Sequence, residues 1–182
     1  MEGIEIQSDL ALLAQKNFER NGIDGRVVHG DLQDLPRDVR DRTFDHVMAN
    51  PPYFERERGS QSENASREQA RGEETPLAAW IDVATRRLVP KGFLTIIQNA
   101  RRLKSLLGAF DERLGSIVVR PVAPRTGKDA ELIIVTARKG GRGDLRLAAP
   151  FVLHQGASHD GDRDNYTENA RAILRDGAPF RA

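Results

Sequence analysis

Asn50, Pro51, Pro52, Tyr53 and Phe54 stand in a row, and this run is equipped to hold a planar amine. Two consecutive prolines fix φ and remove two backbone donors, so the carbonyls before and between them point outward in set directions. Asn50 adds a side-chain carbonyl and Tyr53 a flat face for stacking. Together these groups can accept both hydrogens of an exocyclic NH2 while holding its ring. The plain alternative is an ordinary proline turn after a strand, so the context has to choose.

Two carboxylates precede the run. Glu5 closes an apolar stretch with Ile4 and Ile6 on either side. Open α/β sheets place ligands at strand carboxyl ends, where a carboxylate can accept both hydroxyls of a ribose; a surface carboxylate is the competing reading. Asp31 follows Gly30 at the end of the next apolar stretch, as a ligand group or as a helix cap. Downstream, Arg67 and Arg71 lie four apart, on one face if helical. They either touch phosphates or pair with glutamates on an exposed helix. His154 and His159 are five apart in a Gly-rich stretch, poor spacing for a metal pair, and no metal is expected.

The elements that must position these groups follow from apolar spacing. Gly3–Ile6 reads as a strand. Asp9–Asn21 reads as a helix with Leu10, Leu13, Ala14 and Phe18 at helical spacing, Ser8 as N-cap and Asn21-Gly22 as C-cap. Residues 26–29 form a strand, 32–39 a brief helical turn, and Phe44–Ala49 a buried strand that delivers the chain to Asn50. Residues 55–75 are polar and form a loop or marginal helix. A helix starts at Pro76 behind Thr75 and carries Leu77, Trp80, Ile81, Ala84 and Leu88 up to Pro90. A buried strand over Gly92–Gln98, a helix over 100–113, and two β-branched strands over Gly115–Val122 and Ala130–Ala137 follow, the last two as an antiparallel hairpin. Leu145–Leu153 reads as a further strand and Tyr166–Arg175 as a terminal helix.

At 182 residues the chain is one domain, large enough for a real core. It has no cysteine, which excludes disulfides and thiolate metal sites and suits a reducing cytoplasm. No apolar run approaches the roughly 20 residues of a membrane span. The net charge of +1 hides an asymmetry: residues 1–50 carry 6 basic and 10 acidic side chains, residues 101–146 carry 11 and 5. The positive segment, with Arg101, Arg102, Lys104, Arg125 and Lys128, either meets an anionic partner or is a solvated surface.

Strand–helix alternation ending in a hairpin describes a doubly wound α/β sheet with an antiparallel strand at one end. The order of the acidic strand end, the Gly30-Asp31 step and the Asn50 run resembles the class I S-adenosylmethionine-dependent methyltransferases, a Rossmann-like fold, across most of the chain. Within them the chain looks most like the bacterial tRNA adenine-N6 methyltransferases acting on the anticodon-loop adenine of a valine tRNA. Asn50–Phe54, Arg67-Glu68-Gln69-Ala70-Arg71 and Asn165-Tyr166-Thr167-Glu168 carry that likeness. The resemblance implies S-adenosyl-L-methionine as cofactor, bound by Glu5, Asp31, Leu32 and Asn50. It implies Asn50, Pro51, Pro52 and Tyr53 as the catalytic pocket, and Arg67, Arg71 and Phe54 as contacts to tRNA, with core packing as the other reading of Phe54. A release-factor glutamine methyltransferase, an rRNA guanine-N2 methyltransferase and an inactive RNA-binding remnant remain alternatives, since an amide presents the same planar NH2.

One departure stands out. The family resembled here begins with a strand and a Gly-rich loop, and nothing of that kind precedes Gly3; Gly140-Gly141-Arg142-Gly143 leads to no helix. The expectation is therefore a single methyltransferase domain over 1–182, truncated at the N-terminus, that binds cofactor poorly alone. A homodimer is one way to bury the exposed strand edges this leaves.

Overall fold

The structure, a computed structural model, describes residues 1–52, 75–156 and 165–180. Two sheets form. In the smaller, β1 (Glu2–Glu5) pairs in parallel with β2 (Arg26–His29) across helix α1 (Ser8–Arg20). The larger contains β3 (Phe44–Ala49), β4 (Leu88–Asn99), β5 (Leu114–Ala123) and β6 (Leu132–Lys139), with the short β7 (Arg146–Leu147) and β8 (Phe151–Val152) both on β5. Its order is β3-β4-β6-β5: β3 and β4 are parallel, while β6 runs antiparallel between β4 and β5. The α/β class and the hairpin expected from the sequence are both present. The β1–β2 pair does not join the larger sheet.

Three further helices flank these strands: α2 (Arg37–Arg40), α3 (Leu77–Arg87) and, after a 3-10 turn at Ala100–Arg102, α4 (Leu103–Gly108). A fourth, α5 (Glu168–Asp176), closes the chain. The core lies where α3 and α4 cover one face of the larger sheet. Period-2 alternation turns Leu94 and Ile96 of β4 and Ile133, Val135 and Ala137 of β6 inward, against Ile81, Ala84, Leu88 and Leu106. Each fully buried aliphatic side chain contributes about 1.5–3 kcal/mol. The opposite face, with Phe93, Thr95, Val118 and Thr136, is only part-buried or exposed.

Several local expectations change. β3 is not a buried strand: Met48 is 75% exposed and, among the described residues, only one edge of β3 is paired. In α1 the inward face is Ala11, Ala14, Gln15 and Phe18, whereas Leu10 and Leu13 are exposed. Gln7, not Ser8, is the N-cap residue, and it makes no side-chain cap bond. Thr75 does not cap α3; Pro76 holds that position, and the Thr75 hydroxyl accepts from Gln33 Nε2 at 2.9 Å. The helix ends at Arg87 because Pro90 lies inside β4, where Lys91 takes a positive φ of 69° and the register with β3 shifts. The helix expected over 100–113 stops at Gly108, and the single strand expected over 145–153 is two two-residue strands. Gly115 and Gly141 cross so closely that a Cβ on Gly115 would lie 2.2 Å from the Gly141 carbonyl oxygen. That contact gives Gly141 a packing role against β5.

Candidate functional site

Three strand ends meet a cleft of about 1220 Å³. Glu5 ends β1, and its Oε1 accepts from the Gln7 amide at 2.8 Å, which orients the carboxyl group. Gly30 follows β2 and donates its amide to the Glu5 carbonyl at 3.0 Å. Asp31 accepts from the Gln33 amide through Oδ1 at 2.8 Å, in a turn that precedes α2; it therefore caps a turn and not a helix. Glu5, Gly30, Asp31 and Leu32 line one wall of the cleft, and Val47, Met48 and Ala49 of β3 line the other. Glu5 and Asp31 each keep a second carboxylate oxygen with no hydrogen bond among the described residues.

Asn50 follows β3 one residue beyond the cleft lining at Ala49 and is exposed, while Pro51 is fully buried. The two proline carbonyls have specific partners. Gln98, fully buried near the end of β4, donates Nε2 to both the Pro51 and Pro52 carbonyls at 3.3 Å, and its Oε1 accepts from the Asn99 amide at 2.8 Å. Arg102 Nη1 donates to the Pro52 carbonyl at 2.9 Å. A carbonyl has two acceptor sites, and the Gln98 bond occupies one of those on Pro51. Tyr53, Phe54, Arg67 and Arg71 lie outside the described residues, as does His159.

Gln98 was not singled out from the sequence. Its signal was its place in the alternation: two residues beyond Leu94 and Ile96 it must face inward, and a buried amide needs partners. Of the basic residues proposed for an anionic partner, Arg101, Lys104 and Lys128 are exposed. Arg102 and Arg125 have intramolecular duties instead. Arg125 donates to the Gln155 carbonyl and, at 3.4 Å, to Asn165 Oδ1.

The late Asn165–Glu168 segment is part of the same tie. Tyr166 stacks on His154 at 4.9 Å with the Arg175 guanidinium 5.8 Å from its ring, and Thr167 both caps α5 through the Ala170 amide and donates to the Val152 carbonyl at 2.8 Å. This segment therefore fastens α5 beside β8. Among the described residues no group of His, Asp or Glu could hold a metal ion, and no helix is long and apolar enough to cross a membrane.

No protein-family model matches the chain. A protein from Shewanella halifaxensis named tRNA1(Val) (adenine(37)-N6)-methyltransferase is 31% identical over 117 residues, 61% of this chain and 47% of that protein. A protein of the same name from Haemophilus influenzae is 27% identical over 179 residues, 97% of this chain and 71% of its own length. The chain thus spans less than half of the Shewanella relative. Among solved structures, an Agrobacterium tumefaciens protein named a predicted O-methyltransferase superposes with a TM-score of 0.73 over 98% of this chain and 78% of that one, at 23% identity. The chain is similar in sequence to proteins named tRNA1(Val) (adenine(37)-N6)-methyltransferase, and it has a Rossmann-like α/β fold shared with the Agrobacterium tumefaciens structure.

Proposed function

We propose that this chain is an S-adenosylmethionine-dependent N-methyltransferase that modifies the exocyclic amine of an adenine in tRNA, in the cytoplasm. One observation carries the reading: β3, whose Val47–Ala49 line the same cleft as the strand-end carboxylates Glu5 and Asp31, runs directly into Asn50 and the hydrogen-bonded Pro51–Pro52 turn. The names of the sequence relatives support tRNA as the substrate.

The donor set fits the cofactor. In this reading the second oxygen of Glu5 accepts from ribose hydroxyls, that of Asp31 accepts from an adenine amine, and Leu32 lies against the ring; their shared place in the cleft lining supports it. Bound S-adenosylmethionine supplies a methyl group activated on a sulfonium. The chain's own work lies at the amine. An adenine NH2 delocalises its lone pair into the ring and is a poor nucleophile. Asn50 Oδ1 and the remaining acceptor site of the Pro51 carbonyl draw its two hydrogens toward tetrahedral geometry and free the lone pair for an in-line displacement. Positioning and electrostatics drive such a step. Tyr53 is the candidate to stack on a base withdrawn from its stack.

The test is transfer of labelled methyl groups to tRNA transcripts, with digestion to nucleosides. Label in N6-methyladenosine is expected; label on a release-factor glutamine or on ribosomal guanine overturns the assignment.

A further inference from the structure

β3 runs beside β4 in a parallel ladder, with Met48 level with Thr95 and Ala49 level with Ile96. Continuing that register sets Pro51 level with Gln98. A proline has no N–H, so the two prolines cannot carry the ladder's donors past Ala49. The side chain of Gln98 supplies donors there instead. Its Nε2 carries two hydrogens and lies 3.3 Å from both proline carbonyls, while its Oε1 accepts from the Asn99 amide at 2.8 Å. Arg102 Nη1 adds a further donor to the Pro52 carbonyl at 2.9 Å.

These contacts remove the torsional freedom that the prolines leave. No described peptide bond is cis, and each proline ring holds its own φ near about −65°. Asn50 and Pro51 each precede a proline, which confines them to extended backbone. What stays open is the direction of each proline carbonyl, and Gln98 and Arg102 hold both. The turn is thus fastened to β4 on either side of Asn50, through Ala49 before it and Gln98 after it. An amide is an unusual choice for this core position, because a leucine would fill the same space without desolvating a polar group. Thr85, the other buried polar side chain among the described residues, bonds within its own helix to the Ile81 carbonyl at 2.6 Å. Gln98 instead reaches 47 and 46 residues back along the chain.

We infer that Gln98 is a positioning residue for the proposed methyl transfer, fixing the pose of Asn50 by locking the turn that follows it. A fully bonded buried amide stiffens its surroundings. A displacement of about 1 Å at a reacting group costs a reaction on the order of a hundredfold. In this role Gln98 acts through the turn and not on substrate or cofactor. The catalytic part of the inference rests on the methyl-transfer reading, whereas the fixing of Asn50 is measurable without activity.

The test compares the parent with Gln98→Leu and Gln98→Glu at a temperature where circular dichroism shows each folded. In labelled methyl transfer to tRNA transcripts, Gln98→Leu should lower kcat about tenfold or more, with KM for S-adenosylmethionine within about twofold. The neutral carboxyl of Gln98→Glu donates one hydrogen and the carboxylate none. Its kcat relative to the parent should therefore rise as the pH falls from about 8 to about 5.5, a readout that stands even if the leucine variant does not fold. Without any activity, the Asn50 side-chain amide, identified by its loss in Asn50→Ala, should give one sharp pair of NMR signals in the parent. In Gln98→Leu that pair should broaden or double. A kcat within about twofold of the parent in folded Gln98→Leu overturns the inference, as does a loss confined to KM or an unchanged Asn50 signal. If the parent methylates no tRNA, the proposed function fails, and the Asn50 signal alone decides whether Gln98 fixes that residue.

Discussion

Replacing Gln98 by leucine keeps the volume of the side chain and deletes its polar atoms, which isolates what the amide does. Gln98 is fully buried and serves the Pro51 and Pro52 carbonyls and the Asn99 amide. Pro52 keeps Arg102, but the buried Pro51 residue loses its Gln98 bond, as does the Asn99 amide. A buried polar group left without a partner costs about 1–3 kcal/mol. The two proline bonds are at the long end of the range, so the loss is about 2–3 kcal/mol. In a domain of this size each kcal/mol moves Tm by roughly 2–4 °C, giving an expected drop of about 4–12 °C in a calorimetric melt.

Gln98→Glu adds a sign test. An ionised carboxylate facing two carbonyls is disfavoured, so its folded pKa rises above the ordinary value of about 4.3. A raised folded value means that the stability is fully present below the unfolded pKa and is lost as pH rises through the folded one. This variant should therefore approach the parent near pH 4 and fall away by pH 7. A Gln98→Leu melt within 1 °C of the parent, or a Gln98→Glu deficit that does not change with pH, would refute the reasoning.

Other outcomes follow from the same structure. Gly115→Ala should cost at least about 2 kcal/mol in urea unfolding, because its Cβ would press on the Gly141 carbonyl. Arg113 bridges Asp82 at 2.8 Å and Asp111 at 2.5 Å. Its hydrogen bond holds the Asp111 carboxyl below the usual carboxylate value; for Asp82, burial pushes upward but the hydrogen bonds from Arg113 and Arg86 outweigh it. Depressed values give stability that is present above about pH 4 and lost on acidification through the folded values. Arg113→Met should flatten that acid limb of a Tm–pH profile. Under the proposed function, Asn50→Ala should abolish methyl transfer to tRNA while cofactor affinity, read by calorimetry, stays within severalfold.

β2 and β3 were legible to the residue, because β-branched or alternating runs are bounded by glycine or by the Asn50 turn. The order of Glu5, Asp31 and Asn50 was legible too, and the fold brings Glu5 and Asp31 to one cleft, with Asn50 one residue beyond its lining at Ala49. The end of α3 was not, since Pro90 reads as a helix stop but sits in a strand whose bulge at Lys91 needs a left-handed backbone. α1 showed helical spacing correctly. Its buried face could not be chosen, because spacing marks Leu10 and Leu13 as apolar without saying which layer covers them. Gln98 was hidden by its polarity, which a reading by hydropathy treats as a strand's exposed end.

The separation of the sheet has a consequence for cooperativity. Among residues 1–43 only Ala11, Leu35 and Val39 are buried apolar side chains, whereas the dense core belongs to α3, β4 and β6. The β1–α1–β2 unit, fastened through charged contacts such as Glu2 with Arg42, is therefore a foldon of lower stability. Its amides should exchange through sub-global opening while Trp80 still reports an intact larger unit. Glu5 and Asp31 ride on this weaker unit, and the Pro51–Pro52 turn is anchored to the stronger one through Gln98. A ligand spanning both binds only when the two are docked, so by mass action its concentration sets how often the weaker unit is open.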